Sequence, residues 1–384
     1  MTIRKAPITA MASHPATTGS CAPDADMDMT RSANKKIPDI LVKPWKLPPQ
    51  KTYIFQNANV VDSASGSVHQ KQTIKLAQVR DTGGATLALK EAIEDDVFPG
   101  PRLFISNKAL SQTGGHGDMR GVHDKQKCCG GDSALTTVVD GVPGCIQATR
   151  EQLRTGADFI KIMAGGGVAS PTDKLENTQF TAAEIQAIAE VADTYGTYVT
   201  AHAYTPKAIR HAVDNGARYM ARKGIRLTPT IVTYDAMGSD KYADFLPPAN
   251  RAKNEMVLSK GLESLRIAEE AGVTICHGSD LLGPLHEEQS REFGIRAQAL
   301  SSKTVLQGAT VNAAKLLRQD KFLGQIRKGF AADLLILNGN PLDNVAILDE
   351  PEKTVLAVIK NGRVYASRWG QLPRDIASTQ NLIE

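Results

Sequence analysis

The chain has 384 residues, 41% of them hydrophobic and 22% charged, with a net charge of +4. That balance excludes a globally disordered chain, and so small and evenly spread an excess of Lys and Arg gives no basis for binding nucleic acid or an anionic membrane. No apolar run approaches the roughly 20 residues a membrane-spanning helix needs.

The N-terminal stretch has no continuous apolar segment of the secretory kind. Five Cys without disulfide-framework spacing fit reduced thiols, so a cytoplasmic location is expected. Residues 1–50 are proline-rich with little periodicity and predict a tail leading into a linker. At residue 52 the character changes. TYIFQNANVVD (52–62) and VHQKQTIKL (68–76) flank a SASGS turn and predict a β-hairpin.

From about residue 79 to residue 317 strand-like and helix-like pieces alternate. PRLFIS (101–106), DFIKIMA (158–164), TYVTAHA (197–203), IRLTPTIVT (225–233) and VTICHGSD (273–280) read as strands. GCIQATREQLRTGA (144–157), TAAEIQAIAEVADTYG (181–196), PKAIRHAVDNG (206–216) and residues 250–271 read as helices. Repeated βα units mean a parallel sheet, open or closed into a barrel. Short strands return in 324–344 and 353–367, where Asn361 and Gly362 signal a hairpin. The expected organisation is an α/β domain at 77–323 inserted into a small β domain. Both chain ends, 51–76 and 324–384, build that β domain and share a sheet.

Parallel α/β domains carry chemistry at the carboxyl ends of their strands. Lys161 lies inside DFIKIMA, His202 near the end of TYVTAHA, and Asp280 ends VTICHGSD. Each alone reads as a snorkelling lysine, a core histidine or a helix cap. Together they could surround a metal or a polar substrate. SQTGGHGD (111–118) would expose His116 and Asp118 on a glycine loop. The run AGGGVAS (164–170) matches neither phosphate-binding pattern, and GxSxG is absent. Adjacent Cys128 and Cys129 have no zinc spacing, and His211 and His277 read as structural or exposed.

The order of VRDTGG (79–84), GPRLFISNKALSQTGGHGD (100–118), GADFIKIMAGGGVAS (156–170), VTAHAYTPKAI (199–209), GVTICHGSD (272–280) and ATVNAAKLL (309–317) resembles the metal-dependent amidohydrolase superfamily. The likeness is to its imidazolonepropionase-like and prolidase-like branch, of the ochratoxinase type. It implies an α/β fold, an amidohydrolase TIM barrel with a small β-sandwich, and a binuclear centre, usually zinc. It implies hydrolysis of amide or peptide-like C–N bonds in a small substrate such as an N-acyl amino acid. Lys161 matches the carboxylated bridging lysine, His202 the strand-five ligand and Asp280 the strand-eight ligand and base; His116 would meet substrate. A homo-oligomer is left open.

The chain departs from that pattern. No HxH pair exists among its eight His residues. IKLA (74–77) runs straight into QVRDTGG, where the family has a first strand and helix, and GARYM (216–220) meets ARKGIRLTPT where the strand-six ligand belongs. The barrel is therefore expected to be incomplete, with one metal or none. A hydrolase and a catalytically impaired remnant of the same fold are the two competing expectations.

Overall fold

A computed structural model describes residues 59–70, 79–95, 97, 99–124, 135–220 and 224–375, all within the compact unit Trp45–Glu384. The expected tail at 1–50 and the adjacent Cys128 and Cys129 lie outside the described residues.

Strands β1 (Asn59–Asp62) and β2 (Ser67–Gln70) form an antiparallel hairpin. Next, β3 (Val79–Asp81) pairs in parallel with β4 (Leu103–Ile105), and helix α1 (Leu87–Glu94) lies between them in sequence. Strands β5 (Ala109–Ser111), β6 (Thr136–Val138), β7 (Ile160–Met163) and β8 (Val199–His202) make a parallel sheet in the order β6–β5–β7–β8. Helices α2 (Val142–Arg154), α3 (Ala182–Thr194) and α4 (Pro206–Met220) connect and follow them. Thr181 and Glu184 close a reciprocal capping box at the start of α3, satisfying two otherwise orphaned amides.

A third parallel sheet joins β9 (Arg226–Leu227) to β10 (Thr274–Ile275) across α5 (Ile231–Gly238) and α6 (Pro248–Glu270). The chain continues through α7 (Glu292–Ala297), α8 (Ser302–Ala309) and α9 (Val311–Leu316). It ends in an antiparallel sheet of β11 (Leu334–Leu337), β12 (Val355–Lys360) and β13 (Arg363–Ser367). Among the described residues no helix is long and apolar enough to cross a membrane.

Alternation along β7 positions the site. Ile160 and Ile162 are buried in a core with Ile185, Ile188 and Val199, so Lys161 and Met163 take the opposite face. Burial of each isoleucine contributes about 1.5–3 kcal/mol. Asp158, just before β7, accepts from the Ile105 amide at 2.8 Å and from Lys90 Nζ at 2.7 Å. It thereby ties β4 and α1 to the strand that carries Lys161.

One expectation is corrected. The strand expected over 225–233 is confined to Arg226–Leu227, and Ile231 opens a helix. The reason is distant in sequence: the Glu292 carboxylate accepts from the Val232 amide at 2.7 Å and from the Ile231 amide at 3.3 Å, capping the first turn of α5. Strands β1 and β2 make a two-stranded sheet, and the rest of the expected hairpin, 52–58 and 71–76, lies outside the described residues. The described part of the hairpin docks on α8 and α9. Gln307 Nε2 donates to the Ala64 carbonyl at 2.8 Å, the Thr310 and Ser63 hydroxyls meet at 2.8 Å, and Val61 packs beside Val305 and Val345.

Candidate active site

In the β7–β8 ladder Lys161 is paired with Thr200 and Met163 with His202. Parallel partners point to one side, so Lys161 and His202 share a sheet face, offset by one pleat. The TGGHGD loop after β5 brings His116 to the same place. Its ring lies over that of His202, with centroids 4.4 Å apart and planes 25° apart. Burial lowers the His116 pKa to about 4, with the Lys161 and Lys253 cations adding to the shift and Asp173 opposing it. Burial also holds His202 well below its ordinary value, helped by His116 and Lys161. Both imidazoles are therefore neutral at physiological pH.

Asp118 anchors the loop. Its carboxylate accepts from Arg120 Nε at 2.7 Å, Arg120 Nη2 at 2.5 Å and the Gly114 amide at 2.9 Å. The Arg120 hydrogen bonds hold its pKa near 2, below the ordinary 3.8. A depressed carboxyl stabilises the fold above its unfolded pKa and loses that contribution as pH falls through the folded one. Between pH about 4 and about 2 the protein should lose on the order of 1–2 kcal/mol through this group, discounted because Arg120 is 25% exposed. Acid unfolding of Asp118→Asn should lack that increment. Parallel acid-unfolding curves for the two proteins would contradict it.

Asp280 follows β10 in a left-handed conformation, φ 51°, which a short polar side chain tolerates. Its charge is felt by two tyrosines beside the histidines. Tyr204 packs edge-on against His202, with centroids 4.6 Å apart, and its hydroxyl lies 2.7 Å from that of Tyr234. Burial raises both phenols, and the Asp280 charge raises them further. His116, His202 and Tyr204 thus form one group, which the charges of Lys161 and Asp280 reach. Tyr204 stands two residues after His202, a spacing that could have flagged it. Tyr234, Ser170, Asp173, Gln179 and Lys253 carried no such signal.

The glycine run after β7 serves close packing. A Cβ on Gly166 would sit 1.8 Å from the Lys174 carbonyl oxygen, and one on Gly167 would sit 1.9 Å from the His116 ring. His277 is stacked on Phe293 at 4.3 Å, and burial holds its pKa near 3; His211 Nε2 meets the Phe180 carbonyl at 2.9 Å. Both are structural.

The donor set does not fit the family's pair of metals. Imidazole binds a cation in its ring plane, and two nearly parallel stacked rings cannot both reach one ion at about 2.0–2.1 Å. Among the described residues no group of three His, Cys, Asp or Glu side chains converges to hold a metal.

The fold and the motif order define the class: the amidohydrolase family pattern matches residues 76–365, and the chain belongs to the amidohydrolase family. It is similar to Aspergillus niger ochratoxinase, 30% identical over 328 residues, which cover 77% of this chain and 67% of that protein. A prolidase solved in complex with N-methylphosphonate-L-proline is 44% identical over 77% of this chain and 76% of its own, with a TM-score of 0.72. A Xaa-Pro dipeptidase solved with methionine bound in its active site is 30% identical over 76% of this chain and 75% of its own, with a TM-score of 0.66.

Proposed function

We propose that this protein acts on small N-acyl amino acids or dipeptides, the amide C–N bonds of its family's hydrolytic chemistry. The shared face of Lys161 and His202, with His116 stacked on it, carries the reading. Lys161 supplies a cation for a ligand carboxylate, His116 and His202 neutral nitrogens, and Asp280 a carboxylate beside two phenols. The three parallel sheets are arcs of the family's TIM barrel. The prolidase with its phosphonate-proline ligand and the dipeptidase with methionine support the substrate class.

A second reading, binding with little turnover, is favoured by the stacked rings and the absence of a three-donor group among the described residues. On that second reading the expected result is at most one weakly held divalent metal per chain and poor or no hydrolysis of an N-acyl amino acid panel; the first reading expects measurable turnover. Binding of that panel should persist and weaken in Lys161→Ala. Elemental analysis, turnover assays and titration calorimetry read the three quantities. Two tightly held metals, with activity abolished by Lys161→Ala, would overturn the second reading; failure of every panel member to bind would overturn the first.

A further inference from the structure

We propose that Ser170 and Asp173 are positioning residues that fix His116 in its Nδ1–H tautomer, so that Nε2 faces the ligand as a hydrogen-bond acceptor. The inference rests on the reading of His116 as a ligand contact and adds which chemical group it takes.

The assignment follows from counting donors. Asp173 is buried, and its partners are all donors. Oδ2 accepts from the Gly167 amide at 3.0 Å and from Gln179 Nε2 at 2.8 Å, Oδ1 accepts the Ser170 hydroxyl, and Lys253 Nζ stands 3.8 Å from Oδ1. The same ammonium donates to the Asp173, Ser170 and Gly167 carbonyls at 2.7, 3.2 and 3.3 Å, which holds the whole turn. Gln179 is oriented without ambiguity: its Oε1 accepts from the His116 amide at 2.8 Å while its Nε2 serves Asp173.

Ser170 is fully buried and has one hydrogen. Its other oxygen neighbour, the Gly167 carbonyl at 3.3 Å, can only accept. Whichever of the two oxygens takes that hydrogen, Ser170 Oγ has only a lone pair left for His116 Nδ1, 2.9 Å away. Nδ1 therefore carries the proton, and in a neutral ring Nε2 is bare. His202 has the opposite tautomer, because its Nε2 meets the Gly166 carbonyl at 3.2 Å and must donate. A bare Nε2 accepts an amide N–H, an ammonium or a hydroxyl and repels a carboxylate. The ligand therefore presents a donor to His116 and turns its carboxylate elsewhere.

Asp173→Asn should invert the tautomer. The amide oxygen stays with the Gly167 and Gln179 donors, so the NH2 faces Ser170. The Ser170 hydroxyl is then driven to donate to Nδ1, and Nε2 gains the proton. The same kind of replacement produces the wrong histidine tautomer in serine proteases.

The test is a long-range 1H–15N correlation spectrum of protein labelled with 15N-histidine, with His116→Gln identifying the resonance. The native protein should show protonated Nδ1 and bare Nε2, Asp173→Asn the reverse, and Ser170→Ala a mixture. Affinity for N-acetyl-L-alanine should fall about tenfold in Asp173→Asn. A native spectrum with protonated Nε2 overturns the proposal without any variant, and an unchanged tautomer in folded Asp173→Asn overturns it as well. If the native tautomer is as assigned and no N-acyl amino acid binds, the ligand reading fails and the positioning role stands.

Discussion

Replacing Glu292 with alanine should cost about 3–5 kcal/mol of stability, because it strands a buried charge. Glu292 and Arg296 sit one helical turn apart on α7, both fully buried, with Arg296 Nε 2.5 Å from Glu292 Oε1. The carboxylate also caps α5 through the Ile231 and Val232 amides, and Arg296 Nη1 donates to the Cys276 carbonyl at 2.9 Å. Burial pushes the Glu292 carboxyl up, and Arg296 with the two amides pulls it back toward the charged form. Truncation leaves a guanidinium without its counter-ion and two helix amides without an acceptor. The pair therefore joins the start of α5 to the segment that runs from β10 to Asp280. Substituting both members by Leu and Met should cost less than Glu292→Ala alone, since no charge then remains buried, although the Ile231 and Val232 amides still lose their acceptor. Urea midpoints for the single and double variants measure this. A loss below about 1 kcal/mol for Glu292→Ala would show that the pair is dispensable.

The same residues explain what could be read from the sequence. Lys161 was legible because a charge interrupts an apolar strand, and the two-residue period alone puts it opposite Ile160 and Ile162. His202 and Asp280 were legible from their places at the ends of strand patterns in the family's motif order. The helix over 181–196 was legible from its period, and the structure adds that Thr181 and Glu184 close a capping box at its start. IVT read as β-branched strand, yet it is helical because a carboxylate from α7 caps it. That contact is long-range, and no local propensity encodes it. The Asp173–Ser170–His116 chain was hidden for the same reason. It joins the TGGHGD loop to the turn after β7 and draws Lys253 from α6, and no spacing links these pieces.

Gly167→Ala should dislodge His116 and weaken ligand binding at least tenfold, about 1.4 kcal/mol. A methyl there would lie 1.9 Å from His116 Cε1 and Nδ1 and 2.4 Å from Cγ, far inside contact distance. Gly167 has no positive φ, so the penalty comes from this collision and carries no left-handed strain. The backbone cannot retreat easily, because its amide is held by Asp173 and its carbonyl by Lys253. The imidazole must therefore leave both Ser170 and His202, or the turn must open around the methyl. Overpacking of this kind costs about 1–3 kcal/mol in stability. Gly370→Ala is the matched control: a Cβ there meets nothing within 4 Å, and stability should stay within about 0.5 kcal/mol of native. Calorimetric binding of N-acetyl-L-alanine and the His116 nitrogen resonances report the two effects separately. If Gly167→Ala bound that probe as tightly as the native chain with His116 unmoved, the stacked pair could not be the ligand's docking point.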